Sequence, residues 1–344
     1  MSSDPVSERR KELLRIVVQE YVDSAQPVAS QSIADKYNLG VSSATIRNDM
    51  AALERDGLLT HPHTSAGRVP TDAGYRYFVR HLVPDMELPS SERRMIRHQF
   101  HQSRREIDQW LRLSTAVLSQ ASNAAALATT PRAVHSRIKH LELIGIRDEI
   151  VLLVLVLEEG AVKQQIVSLD APVTQDELSQ TSNELNAQLA GADMARIAER
   201  FPLLTPMGQD VAHLLVDMMK RLDGRVGERI YRDGLAQILD APEFAEGESA
   251  RRVVKVMEKG SLLEEILDQL VEINDVQVLI AGEGRFVELQ DISLVLTQYG
   301  IENQVTGMIG VIGPLRMTYG RTIGAVRYVA ALMSDLMHEY YGSQ

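Results

Sequence analysis

Within the first seventy residues, three helical apolar stripes are followed by a short strand and a small polar loop, and this order constrains the fold more tightly than any other stretch. Leu13, Leu14, Val17, Val18, Tyr21 and Val22 repeat at three- and four-residue spacing, which predicts a helix over about residues 6–24, with Pro5 tolerated in its first turn. Gln26-Pro27-Val28 interrupts it. Ser30 is the expected N-cap of a second, short helix carrying Ile33, Ala34 and Tyr37, which Asn38-Leu39-Gly40 stops. A third helix, capped by Ser42 or Ser43, is expected over about residues 44–56, with Ile46, Met50 and Leu53 on its buried side and Gly57 beyond its end. Leu58-Leu59-Thr60 reads as a strand, and His61 to Pro70 as a loop containing one glycine and two prolines.

That order is the order of a winged helix-turn-helix. In such a module the third helix offers its N-terminal turn to the major groove of DNA, and the loop between strands reaches the backbone or the minor groove. Outside the apolar stripe, the third helix carries Ser42, Ser43, Thr45, Arg47 and Asn48. Hydroxyls and helix N-terminal N–H groups satisfy phosphates, while Arg and Asn make two-point contacts with guanine and adenine edges. In the loop, Thr64, Ser65, Gly67 and Arg68 permit close backbone approach and supply one guanidinium. A winged helix that contacts protein, with Arg47 merely solvated, is the competing reading of the same pattern.

Charge bears on that choice only when it is divided along the chain. The 344 residues carry a formal net charge of -11. Residues 1–83 have ten Lys and Arg against ten Asp and Glu, residues 84–140 nine against five, and residues 141–344 seventeen against thirty-two. The acidity therefore lies in the C-terminal part, and a neutral front end on an acidic body is compatible with a nucleic-acid partner. The chain has no Cys, which removes disulfides and thiolate chemistry and fits a reducing compartment. Its longest uncharged apolar run, Ile150 to Leu157, is far short of the roughly 20 residues that cross a bilayer. Met1-Ser2-Ser3-Asp4-Pro5 lacks the basic and apolar regions of a signal peptide, so a soluble, cytoplasmic protein without a membrane partner is expected.

Beyond Pro84, Pro89 and Ser90-Ser91, Ile96, Phe100, Ile107, Leu111 and Leu118 keep helical spacing among several arginines, a connecting segment whose cations are solvated or touch flanking phosphates. From Pro131 the period changes. Residues 140–146, 150–157 and 162–169 read as strands, the last two joined as a hairpin across Glu158-Glu159-Gly160. A largely helical stretch follows from Gln175 to Leu270, then strands at 276–282, 292–298 and 308–312, and a terminal helix from Leu315 to Tyr341. Tyr319, Ile323, Val326, Ala330, Met333 and Met337 form that helix's stripe, expected to pack on its own domain's sheet. The pattern is a multidomain α+β protein in which a sheet domain is interrupted by a helical module.

Several sequence blocks resemble one known family. Pro27-Val28-Ala29-Ser30, Gly40-Val-Ser-Ser-Ala-Thr-Ile-Arg-Asn-Asp-Met50, His63-Thr-Ser-Ala-Gly-Arg-Val-Pro-Thr-Asp-Ala-Gly-Tyr-Arg76 and Gly313-Pro-Leu-Arg-Met-Thr-Tyr319 are similar to those of the heat-inducible transcription repressor HrcA family. The blocks lie at opposite ends, so the resemblance spans essentially the whole chain. It implies a winged helix-turn-helix over 1–83, a linker and connecting helix over 84–130, a GAF-like domain from 131–174 and 256–344, and an inserted dimerisation domain over 175–255. It further implies a homodimer on double-stranded DNA, at the inverted-repeat CIRCE operator of chaperone operons, with repression relieved on heat shock. The implied protein partner is the GroEL-type chaperonin. The uncharged β-prone run Ile150 to Leu157, prone to aggregate when exposed, is consistent with a chaperonin client.

Other features point to no chemistry. His61 and His63 lack a third metal ligand nearby, Gly282-Glu283-Gly284 is too short for a phosphate loop, and Glu158-Glu159 and Glu264-Glu265 are explained by solvation. No catalytic set, metal or cofactor is expected. A regulator whose GAF-like domain binds a small effector is the alternative function, and an enzyme with a winged-helix appendage a weaker one.

Overall fold

The computed structural model describes the chain except for residues 1–5, 63–66, 85, 104–105, 134–135, 148, 159, 170, 223–228, 245–246, 259–262, 264, 268–274, 303 and 343–344. In chain order the elements are α1 (Glu8–Ser24), α2 (Ser30–Lys36), α3 (Ser43–Arg55), β1 (Leu59–Thr60), β2 (Val69–Pro70), α4 (Asp72–His81), α5 (Ser90–Gln102) and α6 (Ile107–Ser122). Strands β3 (Ala125–Thr129), β4 (Arg132–Ala133), β5 (Ile138–Arg147), β6 (Ile150–Leu157) and β7 (Val162–Ser168) precede α7 (Gln175–Leu189), α8 (Met194–Arg200) and α9 (Pro206–Leu222). The chain continues through β8 (Ile230–Asp233), α10 (Leu235–Leu239), α11 (Glu248–Glu258), β9 (Gln277–Ile280), β10 (Ile292–Ile301), β11 (Val305–Pro314) and α12 (Tyr319–Gly342). They divide into two compact units, one of residues 1–130, 227–300 and 307–344, the other of 131–226 and 301–306.

In the first unit, α1, α2 and α3 close over Leu13, Leu14, Val17, Ile33, Ile46, Met50 and Leu53, all buried. The short hairpin β1–β2 follows, pairing Leu59 with Pro70 and Thr60 with Val69. Arg68 extends it by an antiparallel bridge to Val28, whose N–H donates to the Arg68 carbonyl at 2.9 Å. Gly67 has no side chain for a steric reason, since a Cβ there would lie 2.7 Å from the carbonyl carbon of Pro27. The expected N-cap Ser30 is instead the first helical residue of α2, behind Ala29, and is itself buried.

The larger sheet of this unit has the order β8-β3-β11-β10-β9. Ala125, Ala126, Leu127 and Ala128 of β3 are all buried, because β3 lies between β8 and β11 and is covered by α6. On α12, Tyr319, Val326, Ala330, Met333 and Met337 are buried within their own unit, as that stripe predicts, with Ile323 half-buried. The Tyr319 hydroxyl bonds Ser293 of β10 at 2.7 Å, and Trp110 of α6 meets Tyr340 edge-on. Arg316, from the C-terminal sequence block, donates to the Val22 carbonyl at the end of α1 and pairs with Glu243 at 2.6 Å, which ties the three-helix end to the sheet.

The second unit is built on the antiparallel meander β5-β6-β7. Strand β6 alternates strictly: Val151, Leu153, Leu155 and Leu157 are buried against α7, α8 and α9, through Leu178, Leu185, Ile197, Val211 and Leu215, while Ile150, Leu152, Val154 and Val156 lie on the other face, half-covered. Edge strand β5 is sealed by α7. Gln175, Ser182 and Asn186, on one side of that helix, bond the backbone of Gly145, Leu143 and Leu141, satisfying groups that would otherwise invite a further strand.

The expected single sheet of residues 131–174 and 256–344 is therefore two sheets. Among the described residues the strands of 138–168 pair only with one another, and the helices of 175–222 cover their inner face; residues 230–258 belong with the other sheet, where β8 pairs β3. Hydrophobic period reports that a segment is a strand, and says nothing of which sheet it joins.

Candidate nucleic-acid interface

Ser42 is the N-cap of α3: its Oγ accepts the Thr45 N–H at 3.2 Å and lies 3.1 Å from Thr45 Oγ1. Satisfying that donor leaves the first turn of a 13-residue helix with its remaining N–H groups directed outward. Because Ile46, Met50 and Leu53 point into the core, the side of the helix turned away from that stripe faces out. Arg47 and Asn48 do so, both exposed, and among the described residues neither has a side-chain partner. Ser43 and Thr45 are half-exposed beside them.

The rotation of α3 is fixed by a charge clamp invisible to motif reading. Asp49, buried on α3, accepts from Arg9 Nε at 2.7 Å and Nη2 at 3.1 Å, and from Arg10 Nε at 3.5 Å, both on α1. The Arg9 hydrogen bond, against the opposing cost of desolvation, holds the Asp49 carboxyl below its usual range. A depressed folded value means that the stabilisation is complete above the unfolded Asp value of about 3.9 and is lost as pH falls through the folded one. Asp49→Asn is expected to lower the thermal midpoint at neutral pH by about 2–4 °C, and that difference should shrink as melts are repeated at pH values falling below the unfolded Asp value of about 3.9. An undiminished difference in acid would assign the loss to packing.

The wing side differs from expectation in one respect. Arg68 is turned inward, its Nε and Nη2 donating to Glu54 Oε2 at 3.1 and 3.0 Å, and it is only 13% exposed. His61 contacts the other carboxylate oxygen of Glu54. Desolvation raises the Glu54 carboxyl, but Arg68 and His61 outweigh it and hold it below its ordinary value. The bridge between Arg68 and Val28 is what aims the guanidinium at α3, a tertiary contact absent from local sequence. Thr64 and Ser65, like His63, lie outside the described residues. Among the described residues no cluster of three or more His, Asp and Glu could hold a metal ion, and no helix is long and apolar enough to cross a membrane.

Comparison with known proteins bears on the whole chain. Residues 108–323 match the family model described as the HrcA protein C terminal domain. The chain is 46% identical to the heat-inducible transcription repressor HrcA of Herpetosiphon aurantiacus, covering 98% of this chain and 97% of that protein. It is 44% identical to the HrcA of Roseiflexus sp. strain RS-1, covering 99% and 97%. Among solved structures, the crystal structure of a hypothetical protein aligns over 97% of this chain and 98% of its own with a TM-score of 0.57 at 23% identity, a likeness of fold. With full-length identity at this level and a family model over most of its residues, the chain belongs to the heat-inducible transcription repressor HrcA family.

Proposed function

We propose that the chain is a homodimeric, sequence-specific DNA-binding repressor of chaperone operons. Residues 1–83 act as a winged helix-turn-helix in which α3 reads one half of an inverted-repeat operator of the CIRCE type. The observation that carries this reading is the pair Arg47 and Asn48, exposed and, among the described residues, without side-chain partners at the start of a helix whose opposite side is fixed by Asp49, Arg9 and Arg10. Ser42, Ser43 and Thr45 border them; the loop residues Thr64, Ser65 and Gly67 are proposed to contact the DNA, with Arg68 supporting that loop from inside through its pair with Glu54. The neutral charge of residues 1–83 makes affinity depend on local placement of these groups, while the acidic remainder is repelled by the duplex and kept clear of it.

The dimer contact falls on the outer face of β5-β6-β7. Ile144, Ile146, Val162 and Ile166, each more than 40% exposed, share that face with the half-covered side chains of β6. Half of the large apolar side chains exposed among the described residues are gathered on these strands, which marks an association surface. A face of this kind, exposed before assembly, also supports the family's reliance on a GroEL-type chaperonin and loss of repression when heat shock occupies it. The direct test is a footprint on the upstream regions of this organism's chaperone operons, with and without chaperonin, at two temperatures. Protection of an inverted repeat is expected, and protection without sequence preference overturns the reading.

The Glu54 contact gives the wing arginine a role that can be measured. With the pair intact, Arg68 fastens the wing to α3, so Arg68→Ala should weaken operator binding a few-fold and leave the salt slope unchanged. A slope reduced by about one would show that the guanidinium leaves Glu54 to neutralise a phosphate.

A further inference from the structure

A cleft of about 360 Å³ opens in the first unit between α4, β9 and α12. Its walls are apolar, with Val79 on α4, Val278 and Ile280 on β9, and Ile323 on α12. Among the described residues three guanidiniums, Arg76, Arg80 and Arg327, border it, against the one carboxylate of Glu283. That carboxylate is already engaged by Arg285 at 3.2 Å. Arg76 Nη1 donates to the Ile280 carbonyl at 3.3 Å, and Arg327 lies 3.7 Å from Asp275, itself 77% exposed. Among the described residues that line it, the cleft is thus cationic, with Arg76 and Arg80 from the neutral N-terminal part of the chain and Arg327 from the acidic C-terminal part.

The backbone at its rim supplies a second observation. Ala281, Gly282, Glu283 and Gly284 have φ values of 52, 61, 49 and 76°, four successive left-handed residues of which two carry side chains. L-residues enter that region at a cost, and such a segment persists only where its surroundings impose it. Here Phe286 and Leu289 pack 3.2 Å from where a Gly282 Cβ would lie, holding the turn so that Glu283 borders the cleft. Strained backbone beside an apolar cavity with convergent charge is the arrangement of a ligand clamp.

From this geometry we infer that the cleft binds a small amphipathic organic anion, its carboxylate or phosphate head held by Arg80 and Arg327 and its apolar body against Val79, Val278 and Ile323. Charge-assisted hydrogen bonds from guanidinium to an oxyanion supply orientation, and burial of an apolar body against the valine and isoleucine walls adds affinity that a bare inorganic ion cannot gain. Helix α4 begins two residues after β2, so an occupant joining α4 to β9 and α12 would also bias the placement of the hairpin and α3. Only that last consequence rests on the repressor reading; the binding itself does not.

Titration calorimetry on the full-length protein tests the inference with four probes: decanoate, phenyl phosphate, inorganic phosphate and decanol. One of the first two is expected to bind at one per chain, and which one does identifies the head group. Inorganic phosphate and decanol should bind at least about tenfold more weakly than the successful probe. Arg80→Ser, at an exposed position that should leave the unliganded melting temperature unchanged, should weaken binding about tenfold, and Ile323→Trp should abolish it by filling the cleft. No binding by either amphipathic probe, inorganic phosphate binding as tightly as phenyl phosphate, or undiminished binding to Arg80→Ser each overturns the proposal. Because no DNA is present in this experiment, failure of the repressor reading would leave its outcome intact.

Discussion

Ile166→Lys is expected to yield a folded monomer whose operator affinity is reduced by about 10²- to 10⁴-fold, the factor lost when two linked half-sites become independent. The residue is 65% exposed on β7, in a row across the sheet with Leu152 and Ile144, so in the isolated chain a lysine there reaches water at little cost. In a two-fold interface the same substitution occurs twice and buries two unpaired cations, a cost of roughly 2–5 kcal/mol or more. Sedimentation or light scattering reads the monomer, and gel-shift titration reads the affinity. Val287→Lys, at a position 67% exposed in the other unit, is the matched control and should change neither. A dimer that survives Ile166→Lys with operator affinity intact would place the interface elsewhere.

The alternation that makes this prediction possible is legible in the sequence only in part. Ile150 to Leu157 is apolar at every position, so its period cannot say that one side meets helices and the other solvent. The flanking strands resolve it: β7 alternates outward Val162, Gln164 and Ile166 with inward Lys163, Gln165 and Val167, each residue of the outward set exposed and each of the inward set half-buried. Helices α1 and α3, strand β1 and the terminal helix were all predictable, because each carries a clean apolar stripe or a bounded strand pattern and a stop signal.

Strands β3 and β8 were not. Ala125-Ala126-Leu127-Ala128 favours helix by intrinsic propensity, and becomes a strand because small side chains fit between α6 and the layer beneath, with partners on both edges. Ile230–Asp233 is four residues long within a stretch of helical periodicity, and only its pairing to β3 marks it. In the candidate interface the helix residues followed from motif and period, whereas the clamp on Asp49 and the inward turn of Arg68 depend on pairs separated by 40 and 14 residues. Contacts at such separation leave no local pattern, and in both cases they decide which charged groups remain available to a ligand.

Availability is what gives Arg47 its expected effect. Of the arginines near the start of the chain, Arg9 and Arg10 are bound to Asp49, Arg15 to Glu12 and Arg68 to Glu54, while Arg47 stands exposed at the outer edge of α3. A guanidinium presented from a helix N-terminal turn suits two-point hydrogen bonding to guanine O6 and N7, and removing it costs about 1–3 kcal/mol of discrimination. Arg47→Ala should therefore weaken operator binding by roughly ten- to a hundredfold, with much smaller loss on random duplex and no change in melting temperature or oligomeric state. Arg47→Lys separates charge from geometry: an ammonium preserves attraction to phosphate but cannot reproduce the planar fork, so it should recover binding to random DNA and little of the preference for the operator. Equal losses on operator and random DNA in Arg47→Ala, with recovery of both in Arg47→Lys, would reassign Arg47 to the phosphate backbone and leave Asn48 as the side chain of α3 placed to read a base edge.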